Sequence, residues 1–168
     1  MSAPNTPSRE NKMQEMLRRM RGKRAESDSG FTLIELLVVV VIIGILVAIA
    51  VPVYLNYRKG AANKSAQSDI RGAISAVEQY YTENGNVYPA DQTGTVSTNM
   101  TFTAVGGTNE TATVSPGNTL QLKNNTNSYV VCGENTDGGA IYVYNSVNGG
   151  SVKKSDQASL ALCASTGH

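Results

Sequence analysis

Tryptophan is absent, histidine occurs once and cysteine twice in 168 residues, and charged side chains make up only 16%. The one histidine, His168, is the last residue, so a Ser-His-Asp or Cys-His device has no interior base. No Gly-x-x-x-x-Gly-Lys-Ser/Thr phosphate loop and no clustered histidine ligands occur. Asp91, Glu110, Glu134, Asp137 and Asp156 carry oxygen atoms of the kind calcium takes, but not as an Asp-x-Asp-x-Asp-Gly loop. They read as solvated loop carboxylates. The expectation is a non-enzymatic chain with no cofactor and no metal centre.

Charge is unevenly placed although the net is only +1. Residues 1–30 hold seven Lys or Arg against four Asp or Glu, whereas the remainder holds seven against nine. Such a basic flank before an apolar run favours a cytoplasmic flank and a translocated C-terminal region. The acids dilute the leader's field and no broad basic stripe follows, so direct DNA binding is not indicated. Cys132 and Cys163 are too far apart for a Cys-x-x-Cys motif and lack companions for zinc. In an oxidising compartment they form a structural disulfide. Two buried free thiols are the alternative.

The longest feature present is an apolar run over residues 31–55, in which Glu35 is the only side chain charged at neutral pH. As a helix it measures about 37 Å at ~1.5 Å per residue, enough for a hydrocarbon core of ~30 Å. A carboxylate inside such a run is rare and costly, and it marks function. Ala48-Ile49-Ala50 also satisfies the small-residue rule for secretory cleavage, which would release a soluble domain after Ala50. That reading leaves Glu35 without a use. Pro52 lacks a backbone donor and Gly44 has low helix propensity, so the stretch between them is the expected weak or kinked part of the helix.

Residues 56–83 are expected to continue the helix as an amphipathic half, with Ala62, Ala66, Ile70, Ile74, Val77 and Tyr81 as its apolar stripe. Asn84-Gly85 is the stop signal. Residues 84–118 are rich in Thr, Ser, Asn and Gly and read as a loop, with one β-prone piece at 100–105. Strands are expected at 119–123, 128–133 and 140–147, joined by polar turns into an antiparallel meander of three or four strands. Tyr129, Val131, Ile141 and Val143 are candidates for its buried or paired faces. Residues 151–168 form a tail returning to the sheet through Cys163. Residues 13–24 read as a short basic helix beside the membrane.

The ordered run Gly30-Phe31-Thr32-Leu33-Ile34-Glu35 resembles the processing site of type IV pilins and type II secretion pseudopilins, with Gly44 and Pro52 also at positions typical of the family helix. Gly85-Asn86-Val87-Tyr88-Pro89 resembles the Gly-x-Tyr-Pro turn after that helix. The leader of 30 residues is long for the family. The resemblance implies an α+β fold, a long N-terminal helix on a small antiparallel sheet, with a disulfide joining Cys132 to Cys163. It implies a leader, 1–30, that stays cytoplasmic and is removed by a prepilin peptidase between Gly30 and Phe31, with methylation of the Phe31 amine. Phe31 and Glu35 then act in subunit assembly. The implied partners are further copies of the chain in a helical polymer, the peptidase, the membrane, and an inner-membrane assembly platform with its motor ATPase. The implied product is a surface pilus for adhesion, twitching motility or DNA uptake, with a secretion pseudopilus as the alternative.

Overall fold

A computed structural model describes residues 13–18 and 30–168. Residues 13–18 are helical and exposed; the rest of the expected leader helix, and the basic leader residues Arg9, Lys12, Arg19, Arg21, Lys23 and Arg24, lie outside the described residues. The chain divides into two units, 1–49 and 50–168.

Helix α1 runs Leu33–Glu83 and contains Pro52. Its helical assignment continues through Gly44 and Pro52, so the expected weak stretch is not a break in helicity. Between residues 33 and 57 its large apolar side chains are exposed, as in a helix meant for an apolar medium. This is the one helix among the described residues long and apolar enough to cross a membrane.

Farther along α1, Ala66, Ile70, Ala73, Ala76, Val77 and Tyr80 are buried. The expected stripe was off centre: Ala62, Ile74 and Tyr81 are only half-buried, although Ile74 still packs against the core. Steps of four residues overshoot a 3.6-residue turn by about 40° each, so a strict i+4 series drifts off a flat partner. Ala73 and Tyr80 take up the face that Ile74 and Tyr81 leave. Asn84-Gly85 ends the helix as expected: Gly85 adopts φ +70°, and the Asn86 N–H donates to the Tyr81 carbonyl at 3.0 Å.

The sheet has five antiparallel strands: β1 (Gln92–Thr95), β4 (Asn118–Asn124), β5 (Tyr129–Asn135), β6 (Ile141–Asn145) and β7 (Lys153–Lys154), in the order β1-β4-β5-β6-β7. A separate hairpin pairs β2 (Met100–Phe102) with β3 (Glu110–Ala112). Thus the expected loop over 84–118 holds three strands. Strands β1, β3 and β7 were not expected; β1 reads Gln-Thr-Gly-Thr and has no apolar alternation, so tertiary pairing with β4 makes it a strand. Asp91 fixes its entry by accepting from the Lys123 ammonium and from the Asn124 N–H at 2.7 Å. The Asn124 amide in turn donates to the carbonyls of Tyr88 and Pro89, which seats the turn after α1.

Central strand β5 shows how two cores are built from one strand. Tyr129 and Val131 face α1 and join Ile70, Val77, Leu120 and Leu122. Val130 and Cys132 point the other way and join Val143, Cys163 and Ala164. This is the period-two geometry of a strand covered on both faces. Gly133 continues the α1 face, where a Cβ would stand 2.5 Å from a Leu120 methyl and 2.9 Å from Ile70 Cγ1. Only glycine lets the helix approach this closely.

The second cover is helix α2 (Leu160–Thr166), where a simple tail was expected. Ser159 caps its start by accepting from the Leu162 N–H, and Gly167 closes its end at φ +72° with its N–H on the Cys163 carbonyl. Seven residues are too few for a helical period to stand out in sequence, but the Ser and Gly caps were readable. The Cys132–Cys163 disulfide, with 6.2 Å between Cα atoms, fastens α2 to β5.

Candidate assembly site

At the N-terminal end of α1, Gly30, Phe31 and Thr32 are non-helical and exposed. Among the described residues, and apart from its chain neighbours, no atom lies within 4 Å of where a Gly30 Cβ would be, and Phe31 is 84% exposed. The Gly30–Phe31 bond is therefore open backbone on the threshold of a helix. Helical backbone begins two residues after that bond.

Thr32 and Glu35 define this threshold. The Glu35 carboxylate oxygen Oε2 accepts from the Thr32 N–H at 2.9 Å and from the Thr32 hydroxyl at 2.8 Å. The Glu35 N–H donates back to the Thr32 hydroxyl oxygen at 3.3 Å. This is a reciprocal capping box, which satisfies donors that a helix start otherwise leaves without partners. Such donors are most costly in an apolar medium, where water cannot serve them. The structure thus joins Glu35 to Thr32.

Thr32 is the residue at this threshold that the sequence reading missed, although its signal was present. Thr-x-x-Glu ahead of an apolar run is the capping-box pattern. It was hidden because the same residues form the processing motif.

The other expected residues stand apart. Gly44 has no neighbour within 4 Å of a built Cβ, and Pro52 lies inside α1. Tyr54 and Tyr57, just beyond it, are exposed. Cys132 and Cys163 are bonded and fully buried within the sheet region.

Residues 27–51 match the family model described as the prokaryotic N-terminal methylation motif. The chain is 48% identical over 62 residues to a fimbrial protein, EcpC, of Eikenella corrodens, covering 37% of this chain and 40% of that one. It is 45% identical over 64 residues to the type IV major pilin protein PilE of Neisseria gonorrhoeae, 38% of each chain. It is 44% identical over 66 residues to type II secretion system core protein G of Pseudomonas aeruginosa, covering 39% and 46%. The chain carries the N-terminal segment of the type IV pilin and pseudopilin superfamily. It spans less than half the length of these relatives. With its long helix packed through residues 66–80 on an antiparallel sheet, it has the α+β pilin fold.

Beyond the matched helix, the pilin sheet is tied to α1 by polar groups. The Tyr129 hydroxyl donates to Glu78 Oε1 at 2.7 Å, and burial together with that carboxylate pushes the phenol well above its ordinary range. Tyr88, of the turn after the helix, stacks on Tyr81 at 4.4 Å and lies 5.0 Å from Tyr129. Asp69 accepts from the Ser115 N–H and hydroxyl and from the Asn118 amide, clasping the segment before β4 to the helix.

Proposed function

We propose that this chain is a structural subunit, without enzymatic activity, that is processed at Gly30-Phe31 and polymerises into a type IV pilus. The observation that carries the reading is one carboxylate, Glu35, at the head of an exposed apolar helix and inside the segment, 27–51, that matches the N-terminal methylation motif. While the precursor is in the cytoplasmic membrane, the leader stays inside and residues 31–55 anchor it. Hydrolysis by a prepilin peptidase leaves a carboxylate on Gly30 and an amine on Phe31, which is then methylated. The amine is positive, and a positive group in an apolar medium is stabilised chiefly by an opposite charge. Glu35 of an incoming subunit meets the Phe31 amine of its neighbour and sets their axial register. Such contacts do not close on themselves, so they propagate into a fibre. An assembly platform and its motor ATPase supply the insertion work, and the sheet region comes to lie on the surface of the filament.

A secretion pseudopilus is the second reading, favoured by the identity to the type II secretion core protein. The disulfide-fastened C-terminal region and the elaborated segment between α1 and β4 favour a surface pilus, serving adhesion, motility or DNA uptake. Release of a soluble domain after Ala50 is disfavoured because that bond lies inside α1.

The test is the intact mass and N-terminal fragment spectrum of protein sheared from the cell surface. The expected chain begins at methylated Phe31. A chain beginning at Val51 defeats the assembly reading and leaves Glu35 without a role.

A further inference from the structure

Glu35 is held by one oxygen only. Oε2 takes both donors of Thr32, while Oε1 has no partner among the described residues. We propose that Thr32 is a positioning residue for assembly: its capping box fixes the Glu35 carboxylate through Oε2 and presents Oε1 to the Phe31 amine of a second copy. The inference rests on the assembly reading and assigns it a residue beyond the charged pair.

Three physical points support it. First, a carboxylate in an apolar medium is costly until it is hydrogen-bonded, and the precursor must carry Glu35 before any partner amine exists. The two Thr32 donors serve it during that interval. Second, a glutamate side chain loses rotamer freedom when it docks; a carboxylate already ordered by the box loses less when subunits meet. Third, the geometry uses one hydroxyl twice, as donor to Oε2 and as acceptor from the Glu35 N–H. The box therefore fixes both the carboxylate and the backbone that carries it. An amine arriving at Oε1 displaces none of these bonds.

Substitution at Thr32 separates this role from processing. Thr32→Val keeps the shape and the N–H but removes the hydroxyl; Thr32→Ser keeps the hydroxyl. Full-length wild-type and variant chains would be expressed in cells that carry a pilus assembly machinery. The N-terminal mass of the membrane-bound chain and the yield of sheared filament are then measured. All three chains should be cut after Gly30. Thr32→Val should lower filament yield by about tenfold, the scale of a lost helix cap, and Thr32→Ser should restore it to near the wild-type level. Wild-type yield from Thr32→Val overturns the proposal, and so does a Thr32→Ser chain as poor as the valine variant. An uncut Thr32→Val chain also overturns it, because the hydroxyl would then serve the peptidase step. Each of these leaves the assembly reading standing. A wild-type chain that is not cut at Gly30, or forms no filament, overturns both.

Discussion

Two stretches of a single helix, α1, do opposite work. Residues 33–57 expose their apolar side chains, Ile42 and Ile43 by about half and Leu33 by 83%, whereas Ile70, Ala73 and Val77 are fully buried. Apolar content is higher in the exposed stretch, so hydrophobicity alone does not say which stretch is the protein's own core. The distinguishing feature is the residue pattern. The first stretch is apolar all round, as a helix surrounded by lipid or by copies of itself must be. The second is apolar on one face and small where the sheet comes close. The first stretch is therefore free to serve association, and the second is committed to folding.

The sharpest way to break the comparison is Glu35→Ala. Among the described residues the Glu35 side chain bonds only to Thr32, so unfolding of the full chain in detergent should change by no more than about 0.5 kcal/mol. Filament yield should fall by about a hundredfold or more, the scale of leaving a charge buried without its partner. A variant that assembles at the wild-type level removes Glu35 from the mechanism. A variant that loses both assembly and stability shows that the two stretches are not independent.

How far the sequence could be read follows the same division. The N-terminal stretch was legible because it holds an ordered motif that hydrophobicity alone does not produce: glycine, then phenylalanine, and a carboxylate one helical turn on. The three central strands were legible from β-prone residues between polar turns. Strand β1 was not, since Gln92-Thr93-Gly94-Thr95 becomes a strand only against Leu120 and Leu122 of β4. Helix α2 was too short for periodicity and was overshadowed by the cysteine it carries. The burial of Ala73 in place of Ile74 needed the position of the sheet, which no helical wheel contains. Contacts distant in sequence decided each of these.

The reciprocal substitution tests the folding stretch. Gly133→Ala places a methyl group where Leu120 and Ile70 already stand, at 2.5 and 2.9 Å. Overpacking of this kind costs about 1–3 kcal/mol, because packed side chains must leave their rotamers or the helix must lift from the sheet. The expected result is a lower denaturation midpoint with unchanged cleavage after Gly30. Pairing with Ile70→Val should recover part of the loss by removing one methyl from the contact. If Gly133→Ala leaves stability unchanged, the helix and sheet are not in the close register described, and the small residues Ala66, Ala73 and Ala76 need another explanation.

The smallest expected effect concerns the join that turns an uninformative stretch into a strand. Lys123 and the Asn124 N–H hold the Asp91 carboxyl below its ordinary value in the folded chain. A depressed carboxyl contributes stability above its unfolded pKa of about 4, and that contribution disappears as pH falls through the lower folded value. Wild type should therefore lose stability on acidification across that window, and Asp91→Asn should show a flatter acid limb. The pair is half exposed, so the difference at neutral pH should stay below about 1 kcal/mol and shrink as salt is added. Hydrogen exchange at the β1 amides is the decisive readout, because Asp91 pins the entry to this edge strand. Faster exchange confined to β1 in Asp91→Asn would show that a local polar clasp, rather than apolar burial, holds it on the sheet. Unchanged exchange would assign β1 to its ladder with β4 alone.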